Sequence, residues 1–269
     1  MTAFARKVSA LTGVPEEQLE RLAGGDLSEV LLVLRPDGER VVAKGGSAPG
    51  VEAAMLRALA AAGAPAPLVE GEFQDTLLLR YVAHDGLFNA RAWADIGSRL
   101  ALLHAHTGTS YGWVADYSLG TVHLDNREGQ DWPTFWAEQR LVSVARLLDR
   151  PLRARIEALA HRLGDLLPEA PSPALLHGDL WAGNILVRDG RLAALIDPAC
   201  YHGDAEVDLA MLELFSAPPE EFHEAYGVLE PGWEERRPVY QLFPALTHMR
   251  LWGVGYGGMV DRLLAVLNF

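Results

Sequence analysis

The chain has 269 residues, and 49% of them are hydrophobic, which is typical of a folded globular protein rather than a disordered one. It carries 23 basic and 36 acidic side chains, so its formal net charge of −13 argues against a nucleic-acid partner, which would require a basic surface. The charge is compatible with a cationic or amine-bearing substrate, although solubility alone would also account for it.

No stretch is apolar for long enough to form a membrane helix, and the first residues lack the apolar segment of a signal peptide. Cys200 is the single cysteine, so no disulfide can form within the chain. We therefore expect a cytoplasmic protein with no membrane partner. The sequence does not define the oligomeric state, and a monomer is the expectation.

The first third of the chain reads mainly as strands. Short helices are predicted within residues 3–23, and Pro15 followed by two acids suggests that one of them covers residues 14–22. Strands are predicted at residues 30–34, 40–44, 68–73 and 76–82, with an Ala-rich helix at 51–62 and a loop at 45–50. A sheet with few helices is the expected result.

Beyond residue 82 the apolar spacing becomes mainly helical. Residues 89–106 carry an apolar face, a polar loop covers 111–130, and helices are predicted at 131–148 and 152–167. We place a domain boundary here, between an N-terminal domain of residues 1–82 and a C-terminal domain of residues 83–269.

Three polar residues stand in an otherwise apolar stretch at residues 175–197. Two short apolar runs flank Asp189-Gly190, a pattern that predicts a hairpin whose open ends carry Asn184 and Asp197, within about 5 Å of each other if they lie opposite. Asp179 lies in the loop just before. Such a group of oxygen ligands suits Mg²⁺, and its spacing is what Mg²⁺-assisted phosphoryl transfer from a nucleotide requires.

Several residues of the N-terminal part are candidates for nucleotide binding. Lys44 ends an apolar strand and could contact the phosphates of ATP, with Glu52 as a possible ion-pair partner. Gly24, Gly25 and Ser28 form a turn whose backbone N–H groups could approach phosphates, although paired glycines also commonly end helices. Tyr81 and Val82 would offer backbone groups to an adenine ring.

The aromatic residues near the end of the chain could line an acceptor pocket or belong to the core. Trp181 lies two residues after Asp179, so its ring is placed to pack on a sugar, and Tyr201 and Trp252 are further candidates for substrate contact. For His248 and Tyr256, core and pocket remain equally open. Asp208 could bind the backbone of the Asp179 loop or cap a helix.

The motif 177–184, His-Gly-Asp-Leu-Trp-Ala-Gly-Asn, resembles that of the fructosamine kinase (ketosamine-3-kinase) family. Further stretches that look like this family are 196–201 with 206–211, 131–141, and 111–120. The resemblance implies an α+β, two-lobed protein-kinase-like fold, with a small antiparallel-sheet lobe followed by a larger, mainly helical lobe.

The same resemblance implies a role for each motif residue. Asp179 would be the catalytic base, Asn184 and Asp197 the Mg²⁺ ligands, and Lys44 with Glu52 the ion pair of the ATP site. The reaction would be ATP-dependent phosphorylation of the 3-hydroxyl of a small-molecule or protein-bound ketosamine, as a step of protein deglycation. Two alternatives remain: an aminoglycoside or choline-type kinase of the same fold, and a catalytically silent nucleotide-binding protein.

Overall fold

The structure is a computed structural model that describes residues 2–22 and 28–269. A five-stranded antiparallel sheet occupies the first third of the chain, and helices with three small hairpins or strand pairs form the rest. This is the α+β architecture that the sequence predicts. Within the described residues, no helix has both the length and the apolar character needed to cross a membrane.

The main sheet has the strand order β1-β2-β3-β5-β4. The strands are β1 (Leu19–Arg21), β2 (Val30–Leu34), β3 (Arg40–Gly45), β4 (Val69–Phe73) and β5 (Thr76–Arg80). The four strands predicted in this part are thus confirmed. One face of the sheet buries Val33, Val41 and Ala43 against helix α1 (Ala3–Thr12), which packs through Ala5 and Val8.

The helix predicted at residues 14–22 is wrong. Only Glu16–Gln18 makes a 3₁₀ turn, and the chain then becomes the edge strand β1. Leu19 pairs with Val33 of β2, so the backbone groups of this segment are satisfied by the sheet. Tertiary pairing therefore overrides a local helix signal that rested on one proline and two acids.

Helix α2 (Pro49–Ala61) lies between the sheet and the rest of the molecule. It begins two residues earlier than predicted because Pro49 occupies its first turn, which shortens the expected loop. Leu56 packs on Leu77 and Leu79 of β5, whereas Met55 and Leu59 join the large core of the helical part. Helix α2 thus packs against both the sheet and the helical part.

The remaining helices form most of the large core. They are α3 (Ala90–His104), α4 (Trp132–Phe135), a π-helical segment (Trp136–Val142), α5 (Ser143–Ala145), α6 (Arg150–Ala160), α7 (Leu163–Leu166), α8 (Glu206–Ser216), α9 (Glu220–Tyr226), α10 (Trp233–Trp252) and α11 (Gly257–Val266). Asn89 caps α3, whose predicted face of Trp93, Ile96, Leu100 and Leu103 is buried.

Short strands position the loops of the site. They are β6 (Tyr117–Leu119), β7 (Val122–Leu124), β8 (Ala174–Leu176), β9 (Ile185–Arg188), β10 (Arg191–Leu195) and β11 (Tyr201–Gly203). The hairpin β6–β7 occupies a stretch predicted as loop. The predicted hairpin β9–β10 is confirmed, and its tip residues Asp189 and Gly190 have φ values of 53° and 71°, as a tight two-residue turn requires.

Candidate active site

The loop between β8 and β9 carries Asp179. Gly178 before it has φ = 81°, and a Cβ at this position would lie 2.1 Å from the carbonyl oxygen of Ala199. Only glycine fits such a conformation at such close approach. Asp179 is partly open to the cleft, and burial of its carboxyl group raises its pKa to about 7.

Asn184 folds back onto Asp179 through one 3₁₀ turn. Its amide nitrogen donates to the backbone oxygen of Asp179 at 2.8 Å and to Asp179 Oδ2 at 3.0 Å. These two bonds fix the amide plane and fix one carboxylate oxygen of Asp179. The amide oxygen of Asn184 is thereby left for another partner.

Asp197 follows β10 and lies next to Asn184, as predicted. The N–H of Ile196 donates to the carbonyl oxygen of Asn184 at 3.0 Å. Asp197 has φ = 53°, a left-handed conformation that is unusual for a residue other than glycine and that clusters at functional sites. Its Oδ1 accepts from Lys44 Nζ at 2.9 Å, across 153 residues of sequence.

Lys44 also forms the predicted ion pair with Glu52, at 2.7 Å. Burial alone would lower the Lys44 pKa, but the carboxylates of Glu52 and Asp197 outweigh it and raise the pKa above its ordinary value. The lysine is therefore held charged. Tyr117 of β6 donates to the other oxygen of Glu52 at 3.2 Å. Sequence reasoning missed this contact, because nothing in the spacing links residues 65 positions apart.

Asp208 holds the Asp179 loop from below. Its two carboxylate oxygens accept the backbone N–H groups of His177 at 2.7 Å and Gly178 at 2.9 Å, and it also contacts His104 Nε2 at 3.2 Å. Of the two interpretations left open, loop binding is therefore correct, and Ala205 takes the cap position of α8.

His177 connects the Asp179 loop to the segment before Asp197. Its Nε2 lies 3.0 Å from the carbonyl oxygen of Ile196, and its Nδ1 accepts the N–H of Asp179 at 3.3 Å. Since a carbonyl can only accept, Nε2 carries the hydrogen. Burial lowers the His177 pKa, which favours this neutral form.

One cleft of about 560 Å³ is lined by Lys44, Glu52, Tyr117, Asp179, Asn184 and Asp197, whereas His177 and Asp208 lie behind it. Trp181 and Trp252 line it and are 39% and 45% exposed, so both predicted substrate residues face open space. The six-membered ring of the Trp181 indole lies against Gly183, where an added Cβ would come within 2.3 Å of it. A larger groove of about 1100 Å³ lies on the helical part beside the π-helical segment and contains none of the predicted site residues.

The prediction that Tyr201 contacts substrate is wrong. The side chain is 1% exposed, and the guanidinium of Arg140 lies 4.1 Å from the centre of its ring. Tyr201 is on β11, and successive side chains of a strand point to opposite faces. The Tyr201 side chain lies on the face that packs into the aromatic core beside Phe135.

Of the other residues predicted to bind nucleotide, one lines the cleft, two do not, and two lie outside the described residues. Ser28 lines the cleft, together with residues 45–48 after β3. Tyr81 follows β5, its N–H donates to the Arg40 carbonyl oxygen at 3.1 Å, and neither Tyr81 nor Val82 lines the cleft. Their role in adenine binding stays a prediction. Gly24 and Gly25 lie outside the described residues.

The oxygen donors of the cleft fit a magnesium ion whose remaining coordination positions would be filled by the nucleotide and water. Across residues 2–22 and 28–269, no three His, Cys, Asp or Glu side chains come together as a metal-binding group. The available donors are the Asn184 amide oxygen and the Asp197 carboxylate, both hard oxygen ligands. Mg²⁺ is commonly bound through one or two such ligands, with waters and phosphate oxygens completing the octahedron.

The sheet, the helical part and the cleft between them define a protein-kinase-like phosphotransferase fold. An aminoglycoside phosphotransferase, solved as a ternary complex with AMP-PNP and hygromycin B, superposes with a TM-score of 0.70 at 17% identity, covering 98% of this chain and 99% of that one. At this level of identity the likeness establishes the fold alone.

The similarity to one family is far closer. A fructosamine-3-kinase candidate from Thermobifida fusca has a TM-score of 0.87 at 29% identity, covering 98% of both chains. A "probable ketoamine kinase" of Synechocystis is 32% identical over 97% of this chain and 94% of its own length. The profile of the fructosamine kinase family matches residues 2–268. The chain belongs to the fructosamine kinase family.

Proposed function

We propose that this protein is a ketosamine kinase that transfers the γ-phosphoryl group of ATP, with Mg²⁺, to the 3-hydroxyl of a ketosamine. The observation that carries the proposal is that Lys44, Asp179, Asn184 and Asp197 line one cleft in a chain of the fructosamine kinase family. A catalytically silent relative would have little reason to retain all four.

Asp179 is assigned as the general base. Its pKa of about 7 makes it a competent proton acceptor near neutral pH. As the acceptor oxygen bonds to the γ-phosphorus and the bond to the ADP oxygen breaks, the hydroxyl proton passes to the Asp179 carboxylate. Asn184 Nδ2 donates one hydrogen bond to the Asp179 carboxylate and one to its backbone carbonyl oxygen, so both the side chain and the backbone of Asp179 are held in place. This matters because positioning supplies much of the catalysis in phosphoryl transfer.

Lys44 is assigned to the phosphates of ATP. Glu52 holds the ammonium at 2.7 Å, and Tyr117 fixes Glu52 in turn, so the cation is pre-positioned rather than mobile. Asn184 and Asp197 would hold Mg²⁺ through their side-chain oxygens. The ion, when bound, neutralises charge on the phosphate oxygens.

The acceptor is assigned to the part of the cleft beyond Asp179, where Trp181 offers a flat ring on which a sugar can pack. Both a free ketosamine and a protein-bound one suit an open cleft. Removal of sugar adducts from amines, or deglycation, is the physiological role we propose. We also propose a cytoplasmic location, since the chain has a single cysteine.

The test is a coupled ADP-release screen with Mg·ATP across fructosyl-, ribulosyl- and erythrulosyl-amines. Aminoglycosides and choline are included as alternative acceptors, because they are the substrates of the competing assignments. The Asp179→Asn variant serves as the inactive control, and we expect it to bind Mg·ATP normally while losing most turnover. Position of the phosphate on the product is read by ³¹P–¹H correlation NMR. Turnover of aminoglycosides or choline but not of ketosamines would overturn the proposal.

A further inference from the structure

His248 on α10 lines the cleft. Its Nδ1 lies 2.9 Å from the carbonyl oxygen of Pro244, and since a carbonyl can only accept, Nδ1 must carry the hydrogen. In the neutral ring Nε2 is then a pure hydrogen-bond acceptor. Within the described part of the chain the hydrogen bond through Nδ1 is the one that the His248 ring makes, so Nε2 has no partner there.

The orientation of this imidazole is fixed by its neighbours. The ring centre of Phe215 lies 4.3 Å away at an interplanar angle of 31°, and that of Tyr256 lies 5.3 Å away at 55°. Tilting the ring out of its plane would break both aromatic contacts, and a 180° flip would break the hydrogen bond to Pro244. Burial lowers the His248 pKa, so the neutral form dominates at neutral pH.

The charge distribution of the cleft identifies the ligand group that suits this nitrogen. Among the described lining residues the carboxylates are Glu52, Asp179 and Asp197, and two of these already pair with Lys44. The wall around His248 contains no carboxylate among the described lining residues and is mainly aromatic, formed by Phe215, Trp252 and Tyr256 together with Thr247 and Leu251. Faces of aromatic rings attract cations.

We propose that His248 Nε2 accepts a hydrogen bond from the secondary ammonium of the acceptor, which the surrounding aromatic rings also attract. A secondary ammonium offers only N–H donors, so it matches an acceptor-only nitrogen within an aromatic wall. His248 is then the residue by which this cleft selects an amine-bearing sugar over a neutral one. This inference rests on the proposed function, which supplies an acceptor of that class.

The experiment compares two acceptors that differ in one group: an N-alkyl fructosamine and the matching 1-O-alkyl fructose, in which an ether oxygen replaces the amine. His248→Phe keeps an aromatic ring between Phe215 and Tyr256 but removes Nε2, and His248→Gln restores a side-chain acceptor. Arg250→Ala is the matched control, because Arg250 is exposed on the same helix and does not line the cleft. Each variant is checked for its Mg·ATP affinity by calorimetry.

We expect His248→Phe to raise KM for the fructosamine about tenfold or more, the range of hydrogen bonds to charged groups, while kcat and Mg·ATP affinity change little. KM for the ether should stay unchanged, and His248→Gln should recover part of the loss. An unchanged KM for the amine, or an equal rise for amine and ether, would overturn the inference. If the wild type turns over only other amines, the proposed function fails, and the same variants measured on that amine and its ether analogue still decide the role of His248.

Discussion

Replacing Asp208 by Asn tests whether the geometry of the Asp179 loop depends on one buried carboxylate. Asp208 is 1% exposed and accepts the backbone N–H groups of His177 and Gly178 at 2.7 and 2.9 Å. The amide of Asn can accept only one of the two. Its NH₂ group would face the second N–H, so one buried donor is left unsatisfied.

The cost follows from the contacts that are lost. An unsatisfied buried donor costs about 1–3 kcal/mol, and the remaining bond loses its charge assistance, so we expect the free energy of unfolding to fall by about 2–4 kcal/mol. The catalytic cost arises separately. A shift of about 1 Å in a catalytic group can cost about 10²-fold in rate, so kcat should fall by about 10- to 100-fold in the folded variant.

Glu206→Gln is the matched control, because Glu206 is a buried acid on the same helix that binds Arg236 at 2.8 Å rather than the loop. Both variants are measured by urea unfolding and by kcat at saturating substrates. We expect both to lose stability but only Asp208→Asn to lose kcat. Equal kcat values in the two folded variants would refute the role given to Asp208.

The pH dependence of stability provides an independent check on Asp208. Burial acts to raise its pKa, but the hydrogen bond and charge of His104, with the N–H of Gly178, outweigh it and lower the pKa below its ordinary value. A depressed pKa in the folded state contributes stability above the unfolded pKa of about 3.9 and loses it as pH falls through the folded value. The stability difference between wild type and Asp208→Asn should therefore shrink below pH about 4.

Three further predictions follow from the cleft. Asp197→Ala should abolish Mg²⁺-dependent nucleotide binding, and an unchanged Mg·ATP affinity by calorimetry would show that Asp197 is not a ligand. The kcat/KM for the acceptor should fall at acid pH as the Asp179 carboxylate becomes protonated; its pKa is about 7 in the free protein and lower once a cation is bound beside it. A profile that stays flat down to the lowest pH at which the protein remains folded would contradict the base assignment. Gly183→Ala should displace the Trp181 ring, since its methyl group would come within 2.3 Å of it; acceptor KM should then rise with Mg·ATP affinity unchanged, and an unaltered KM would count against Trp181 as a substrate contact.

Local sequence patterns were sufficient to predict the elements on which the candidate site residues lie. Asp189-Gly190 between two apolar runs defines a hairpin, and a hairpin brings its open ends together, so the proximity of Asn184 and Asp197 could be predicted. The ion pair of Lys44 with Glu52 was also predictable, because a strand and the helix after it are close in sequence. The change from strand to helix spacing near residue 82 predicted a strand-rich part followed by a helix-rich part, and the family resemblance implied the α+β fold class.

What local patterns could not determine was which distant side chains meet. The hydrogen bond of Tyr117 to Glu52 and the carboxylate of Asp208 beneath His177 join residues 65 and 31 positions apart, and no periodicity encodes such pairings. The same limit explains two of the wrong predictions: residues 19–21 became a strand because β2 offered an edge, and Tyr201 was buried because Arg140 and the aromatic core occupy its side of β11.

Spacing and turn chemistry act over a few residues, so the sequence by itself determined the hairpin, the oxygen-bearing side chains at its open end and the lysine at the end of β3. Packing acts between elements that meet only when the chain is folded, and it alone decided how the Asp179 loop is held, which aromatic residues line the cleft, and that His248 lines it with Nδ1 bonded to Pro244.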